Sequence, residues 1–171
     1  MNVTQRYKLN FDKSVWLLGL LLFVVSCATD PGFDNVPEIT FLDISKDTLI
    51  QDNLNTDSLF MRITFKDGDG DLGTENQNFK ENIIVTDLRT GVISNRFNIP
   101  PIANGGLNSG IEGEITMKIF TTCCIFPDGT PPCQNPADFP TNALSFEIEM
   151  IDDKGNRSNK VTTSVVTLLC N

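Results

Sequence analysis

The chain after residue 27 alternates apolar and polar positions with a period of two, which is the spacing of side chains along a β-strand. Within residues 58–66, apolar side chains occupy every second position: Leu59, Met61, Ile63 and Phe65. No stretch of ten residues there keeps the 3.6-residue period of an amphipathic helix. The pattern therefore predicts an all-β domain with seven strands, at residues 38–45, 58–66, 81–88, 92–99, 112–121, 143–152 and 160–169.

Seven short strands separated by turn residues are typical of a single immunoglobulin-like, Greek-key β-sandwich. Another Greek-key order or a jelly roll fits as well, because strand order cannot be read from one sequence. Glycine-containing hairpin turns are predicted at residues 89–91 and 153–156. In the first strand the apolar phase slips between Phe41 and Leu42, which predicts a bulge or a change of sheet.

The N-terminus has the order of a secretory signal. Basic residues precede an unbroken apolar run of eleven residues, 15–25. That run is shorter than the roughly 20 residues of a membrane-spanning helix. Residues 24–27 (VVSC) resemble the lipobox of bacterial lipoproteins, a family in which the cysteine is acylated after cleavage just before it. A plain signal peptide beside a chance cysteine is the alternative. The lipoprotein interpretation gives a signal peptide at 1–26, a lipidated Cys27 with a linker to residue 36, and a β-sandwich domain at 37–171.

Four cysteines remain when Cys27 is set aside, and an even number suits two disulfides in an oxidising compartment. They are Cys123, Cys124, Cys133 and Cys170. The predicted topology brings all four to one end of the domain. One of Cys123 and Cys124 is expected to pair with Cys133 and the other with Cys170, because a bond between sequence neighbours would be strained. Redox or metal chemistry at the adjacent thiols is a weaker alternative, since a CxxC pair is absent.

Charge and composition exclude several kinds of function. The chain has 13 basic and 22 acidic residues, for a net charge of −9, and three of the basic residues precede Cys27. Such an acidic chain is unsuited to nucleic acid, whose phosphates need lysine and arginine. The absence of histidine removes the commonest general base and the usual nitrogen ligand of transition metals. The only tryptophan and tyrosine, Trp16 and Tyr7, also precede Cys27, which counts against aromatic platforms for sugars.

An acidic, glycine-rich loop at residues 67–73 (DGDGDLG) directly follows a predicted strand. Carboxylates at alternate positions of such a loop can surround calcium, and an oxygen-only ligand set favours calcium over zinc or iron. The predicted topology brings the 153–156 turn to the same end, with Glu75 nearby. The candidate calcium ligands are Asp67, Asp69, Asp71, Asp152 and Asp153. The loop lacks the glycine and glutamate that an EF-hand has at its sixth and twelfth positions, and a solvated acidic turn is the alternative.

Four segments together resemble a group of short, uncharacterised lipoproteins of Bacteroidota: residues 24–27, 67–73, 123–133 (CCIFPDGTPPC) and 152–170. The resemblance covers nearly the whole chain after Cys27, and the cysteine segment is its most specific part. It implies an outer-membrane lipoprotein with one immunoglobulin-like or related β-sandwich domain, and it implies no enzymatic activity. It leaves open whether the domain faces the periplasm or the cell surface.

The function predicted from these features is that of a lipid-anchored, non-catalytic binding or accessory module at the outer membrane, with calcium as its candidate cofactor. Its partners would be the membrane, through the lipid on Cys27, and an unknown protein or glycan. A glycan-binding surface lipoprotein is the first alternative. A calcium-dependent hydrolase that uses the acidic loop as general acid and base is the second.

Overall fold

A computed structural model describes residues 32–73, 81–100, 102 and 110–171. These residues contain strands and turns without a helix, and none of them forms an apolar helix of membrane-spanning length. The all-β prediction is therefore confirmed, whereas the signal peptide, Cys27 and Glu75 lie outside the described residues. The strands are β1 (Glu38–Ile44), β2 (Thr48–Ile50), β3 (Ser58–Asp67), β4 (Ile83–Asp87), β5 (Val92–Phe97), β6 (Ile111–Phe120), β7 (Thr141–Leu144), β8 (Phe146–Met150), β9 (Val161–Thr162) and β10 (Val166–Leu169).

The first sheet has the strand order β1-β3-β6, and both pairings are antiparallel. β3 buries the four apolar side chains that the alternation assigned to its inner face and exposes Phe60 and Arg62 on the other face. The β1–β3 register shifts between Phe41 and Asp43. The predicted phase slip is thus a bulge at Leu42, which keeps Phe41 and Ile44 on the core-facing side, opposite Ile63 and Met61 of β3.

The second sheet has the order β5-β4-β8-β9 and is antiparallel throughout. The β4–β5 hairpin turns where the sequence predicted it, and Gly91 takes the positive φ of 69° that closes the turn. The other predicted turn, at residues 153–156, joins β8 to β9 with Gly155 at φ 93°. Both hairpins therefore follow from local turn chemistry.

The third sheet, β2-β10-β7, corrects two strand predictions. The stretch 143–152 is divided between β7 and β8, and 160–169 is divided between β9 and β10, so that each stretch changes sheet partway. At the second break, Thr163 occupies both backbone groups of Phe146. The Thr163 N–H donates to the Phe146 carbonyl, and the Thr163 Oγ1 accepts a hydrogen bond from the Phe146 N–H. β2 was not predicted, since three residues are too few to show alternation. β2 runs parallel to β10.

Buried apolar side chains from all three sheets form one core cluster. Its largest fully buried members include Phe146, Met61 and Leu49, one from each of the three sheets. Leu72, in the acidic loop, is also part of this cluster and is only 1 % exposed. The loop is therefore anchored to the core by its own apolar residue.

The cysteines form two disulfides at the end of the domain opposite the acidic loop. Cys123 pairs with Cys133, and Cys124 pairs with Cys170, with Cα–Cα distances of 4.7 Å and 5.9 Å. This is one of the two arrangements that the sequence left open. Gln51 holds residues 123–133 in place, because its Oε1 accepts a hydrogen bond from the Cys124 N–H at 3.0 Å. β3 has ten residues, so about 30 Å separates this end from the acidic loop.

Candidate metal site

The acidic loop, residues 67–73, begins at the last residue of β3 and is buried along its whole length. Gly70 and Gly73 have φ values of 68° and 67°, a conformation that side-chain-bearing residues rarely adopt. These two glycines turn the chain sharply enough to fold the loop back over the end of the core. The alternation of glycine and aspartate is therefore a conformational requirement as well as a charge pattern.

The loop also holds the segment that leads towards the N-terminus. The Gly68 N–H donates to the Asp34 carbonyl at 2.8 Å. A Cβ at Gly68 would lie 2.3 Å from the Phe33 carbonyl oxygen, so only glycine allows this approach. The Phe33 ring lies under the Lys66 ammonium, 5.4 Å from it. Phe33 and Asp34, which the sequence assigned to the linker, thus contact the acidic loop and the end of β3.

The loop brings the carboxylates of Asp67, Asp69 and Asp71 together. One oxygen from each lies within 4.8 Å of the other two, a spacing at which the three residues could hold a metal ion. Their exposed fractions are only 0 %, 6 % and 3 %. We call these three residues the aspartate cluster. Its burial rules out the alternative of a solvated acidic turn for these side chains.

Four oxygen atoms of the aspartate cluster are buried without a hydrogen-bond donor: Asp67 Oδ1, Asp69 Oδ1 and both carboxylate oxygens of Asp71. The remaining oxygen of Asp67 accepts from the Asp71 N–H at 3.0 Å. Leaving a buried charged oxygen without a partner costs several kcal/mol in general, and proteins avoid it unless another group meets it. Hard, closely spaced oxygens of this kind are ligands that a divalent cation prefers.

Lys154, in the turn between β8 and β9, supplies the cluster with a positive charge. Its ammonium donates to Asp69 Oδ2 and lies 3.5 Å from Asp71 Oδ2. The side chain is 58 % exposed, so the ammonium reaches the buried carboxylates from the solvent side. This single ammonium charge cannot neutralise three carboxylates.

The electrostatic strain of the cluster appears in two pKa values. Burial raises the pKa of Asp67 to about 6, and the charges of Asp71 and Asp69 act in the same direction. Burial also raises the pKa of Asp71 to about 6, assisted by the charges of Asp152 and Asp69. Both carboxyls thus resist ionisation next to their neighbours, and a bound cation would remove that resistance.

The other two predicted ligands occupy different positions. Asp152 is buried close enough for its charge to act on Asp67 and Asp71, but its own oxygens accept from the Asn156 N–H and side-chain amide, both at 2.7 Å. It is therefore committed to the turn. Asp153 is half-buried and lies outside the group of three. The described cluster holds three of the five predicted ligands.

Sequence reasoning did not find Lys154 or the Asp34 carbonyl. Lys154 follows two aspartates in a predicted turn, and a lysine at such a position is expected to face solvent. Asp34 contributes a backbone atom, which leaves no trace in the side-chain pattern. Only the fold brings these groups to the loop.

Comparison with known proteins finds no family model, no curated protein and no solved structure that matches the chain.

Proposed function

We propose that the chain is a lipid-anchored outer-membrane lipoprotein whose domain is a non-catalytic binding or accessory module stabilised by calcium. The observation that carries the proposal is the set of four buried, donor-less oxygens in the aspartate cluster. Calcium takes six to eight oxygen ligands in flexible geometry, and a loop with three carboxylates suits it better than it suits zinc or iron. Water and backbone oxygens would supply the remaining ligands.

The burial of the cluster favours a structural ion over the hydrolase alternative. A general acid or base must reach the substrate, within about 3 Å of the proton that it transfers. Asp67, Asp69 and Asp71 are each at least nine-tenths buried, in a loop that Leu72 anchors to the core. These positions suit residues that hold an ion in place.

The strand order supports the finer part of the fold proposal, an immunoglobulin-like sandwich. The sheets β1-β3-β6 and β5-β4-β8-β9 have the order expected for two facing sheets of that fold. Their inner faces contribute to the same core cluster. β2 and β10 would then form a parallel extension at one end.

The position of the acidic loop relates the calcium site to the anchor. Four residues lie between Cys27 and Gly32, and the five residue steps from one to the other span at most about 18 Å when fully extended. If Cys27 is acylated, the acidic loop therefore lies close to the membrane. The disulfide end, about 30 Å away along β3, faces outward. We infer that this outer end, with its stapled 123–133 segment, is the one available to a protein or glycan partner.

Chymotrypsin treatment of isolated outer membranes that carry the full chain tests the anchor and the calcium site together. The wild type is expected to sediment with the membranes, and cleavage after Phe33 is expected to release the domain. At about ten times its dissociation constant, calcium should slow this release about tenfold relative to chelator, because the ion fixes the loop that Asp34 contacts.

Two variants control this experiment. Cys27→Ala is expected in the soluble fraction, and its sedimentation with the membranes would contradict the lipid anchor. Asp69→Asn should be released at one rate with or without calcium, which separates an effect on the substrate from an effect on the protease. Equal release of the wild type in calcium and chelator would contradict the calcium-stabilised junction.

A further inference from the structure

Lys154 contacts the aspartate cluster from a distant part of the chain. It lies 85 residues from Asp69 and reaches it from the turn between β8 and β9. No other ion pair to the cluster occurs among the residues that the structure describes. The ammonium is therefore placed by the fold against the carboxylates that would bind calcium.

The Lys154 ammonium supplies a hydrogen-bond donor to only part of the aspartate cluster. It donates to Asp69 Oδ2, while Oδ1 of each of the three aspartates remains without a donor. A lysine carries one charge and three donor protons on a single nitrogen, so it cannot serve oxygens that converge from several directions. A divalent ion among the same oxygens would engage all three residues at once.

The contact is also easily broken. More than half of the Lys154 side chain is exposed, and a lysine stem can swing its ammonium back into water at small cost. The Asp69 and Asp71 oxygens that it approaches belong to the residues that would ligate calcium. An ion and the ammonium at these positions would repel each other at close range.

We propose that Lys154 is a tethered competitor of calcium: its ammonium holds the aspartate cluster when the ion is absent and is displaced into solvent when the ion binds. The inference rests on the proposed calcium site and adds what sets its affinity. Lys154 stabilises the ion-free protein and weakens calcium binding by the same amount, as linkage requires.

The test compares Lys154→Gln with wild type in calcium titrations and in thermal unfolding with chelator or saturating calcium. Lys154→Gln is expected to bind calcium about tenfold more tightly, a change of about 1.4 kcal/mol. It should unfold at a lower temperature than wild type in chelator and at the same temperature in saturating calcium. Lys154→Arg, which keeps the charge, should retain the wild-type affinity.

Lys160→Gln is the matched control, because Lys160 pairs with Glu147 at 2.7 Å instead of with the cluster. It should leave calcium affinity unchanged. Tighter binding by Lys154→Gln without loss of stability in chelator would overturn the proposal, because it would mean that the ammonium only repels the ion from outside the site. Unchanged affinity would also overturn it. If the wild type binds no calcium, the calcium site itself fails, and that outcome is seen in the wild-type titration alone.

Discussion

Replacing Cys124 and Cys170 together with alanine is expected to destabilise the domain by about 4 kcal/mol, the entropy of closing a 46-residue loop in the unfolded chain. Both cysteines are fully buried, so the change also removes packed sulfur from the core. A loss of this size is a large part of the stability of an ordinary domain. Equilibrium denaturant unfolding of the oxidised wild type and the double variant measures it.

Cys123→Ala with Cys133→Ala is the matched comparison, since it removes the shorter disulfide. The ten-residue separation predicts a cost of about 2.7 kcal/mol. Because Cys123 and Cys124 are adjacent and share a peptide, partial reduction with stepwise alkylation assigns their partners, and it should give the 123–133 and 124–170 pairs. A 123–170 pair, or a larger loss from the shorter disulfide, would contradict the arrangement.

The effect of Asp67→Asn on the free energy of unfolding is expected to change sign between saturating calcium and chelator. In saturating calcium, at 100 times the dissociation constant, the wild type gains about 2.7 kcal/mol, and the variant should lose most of that gain. In chelator at pH 7 the variant should instead be more stable than wild type by about 1 kcal/mol. The variant removes a fully buried charge whose burial costs the wild type up to about 3 kcal/mol. Burial of the new amide offsets part of that gain.

The advantage of Asp67→Asn in chelator should also depend on pH. The folded-state pKa of Asp67 is about 6, above its ordinary value of 3.8, so the folded wild type takes up a proton as the pH falls through 6. Its stability therefore rises as the pH falls from 7 towards 4, and the gap to the neutral variant should close. Asp138→Asn, an exposed carboxylate in the segment after Cys133, is the control for loss of charge alone. A variant that is less stable in both conditions at pH 7 would contradict the unmet charge of the cluster.

Local pattern explains why much of the fold was predictable. β3 and β6 are long and bury one face, so their alternation is visible in sequence and the structure confirms both. The bulge in β1 and the glycine turns are local as well. By contrast, 143–152 and 160–169 change sheet inside an uninterrupted strand-like pattern, where no glycine or proline marks the break. Partner choice there depends on long-range packing, which the sequence pattern does not encode.

The candidate site divides in the same way. Asp67, Asp69 and Asp71 meet because they share one short loop with glycines between them, and this was visible in sequence. That the loop would be buried, with Leu72 in the core, depends on the rest of the domain. Lys154 and the Asp34 carbonyl lie near opposite ends of the described chain, so only the tertiary structure shows that both contact the acidic loop.

The most direct test of the account is a calorimetric titration of calcium into chelator-treated, dialysed protein, with Asp71→Asn as the matched variant. The wild type is expected to bind one calcium ion per chain, and Asp71→Asn, which alters two of the four donor-less oxygens, is expected to bind none in the same range. Absence of saturable binding by the wild type up to about 10 mM calcium, well above the weakest sites of extracellular modules, would contradict the account. Equal binding by wild type and Asp71→Asn would contradict it as well, because the ion would then lie elsewhere.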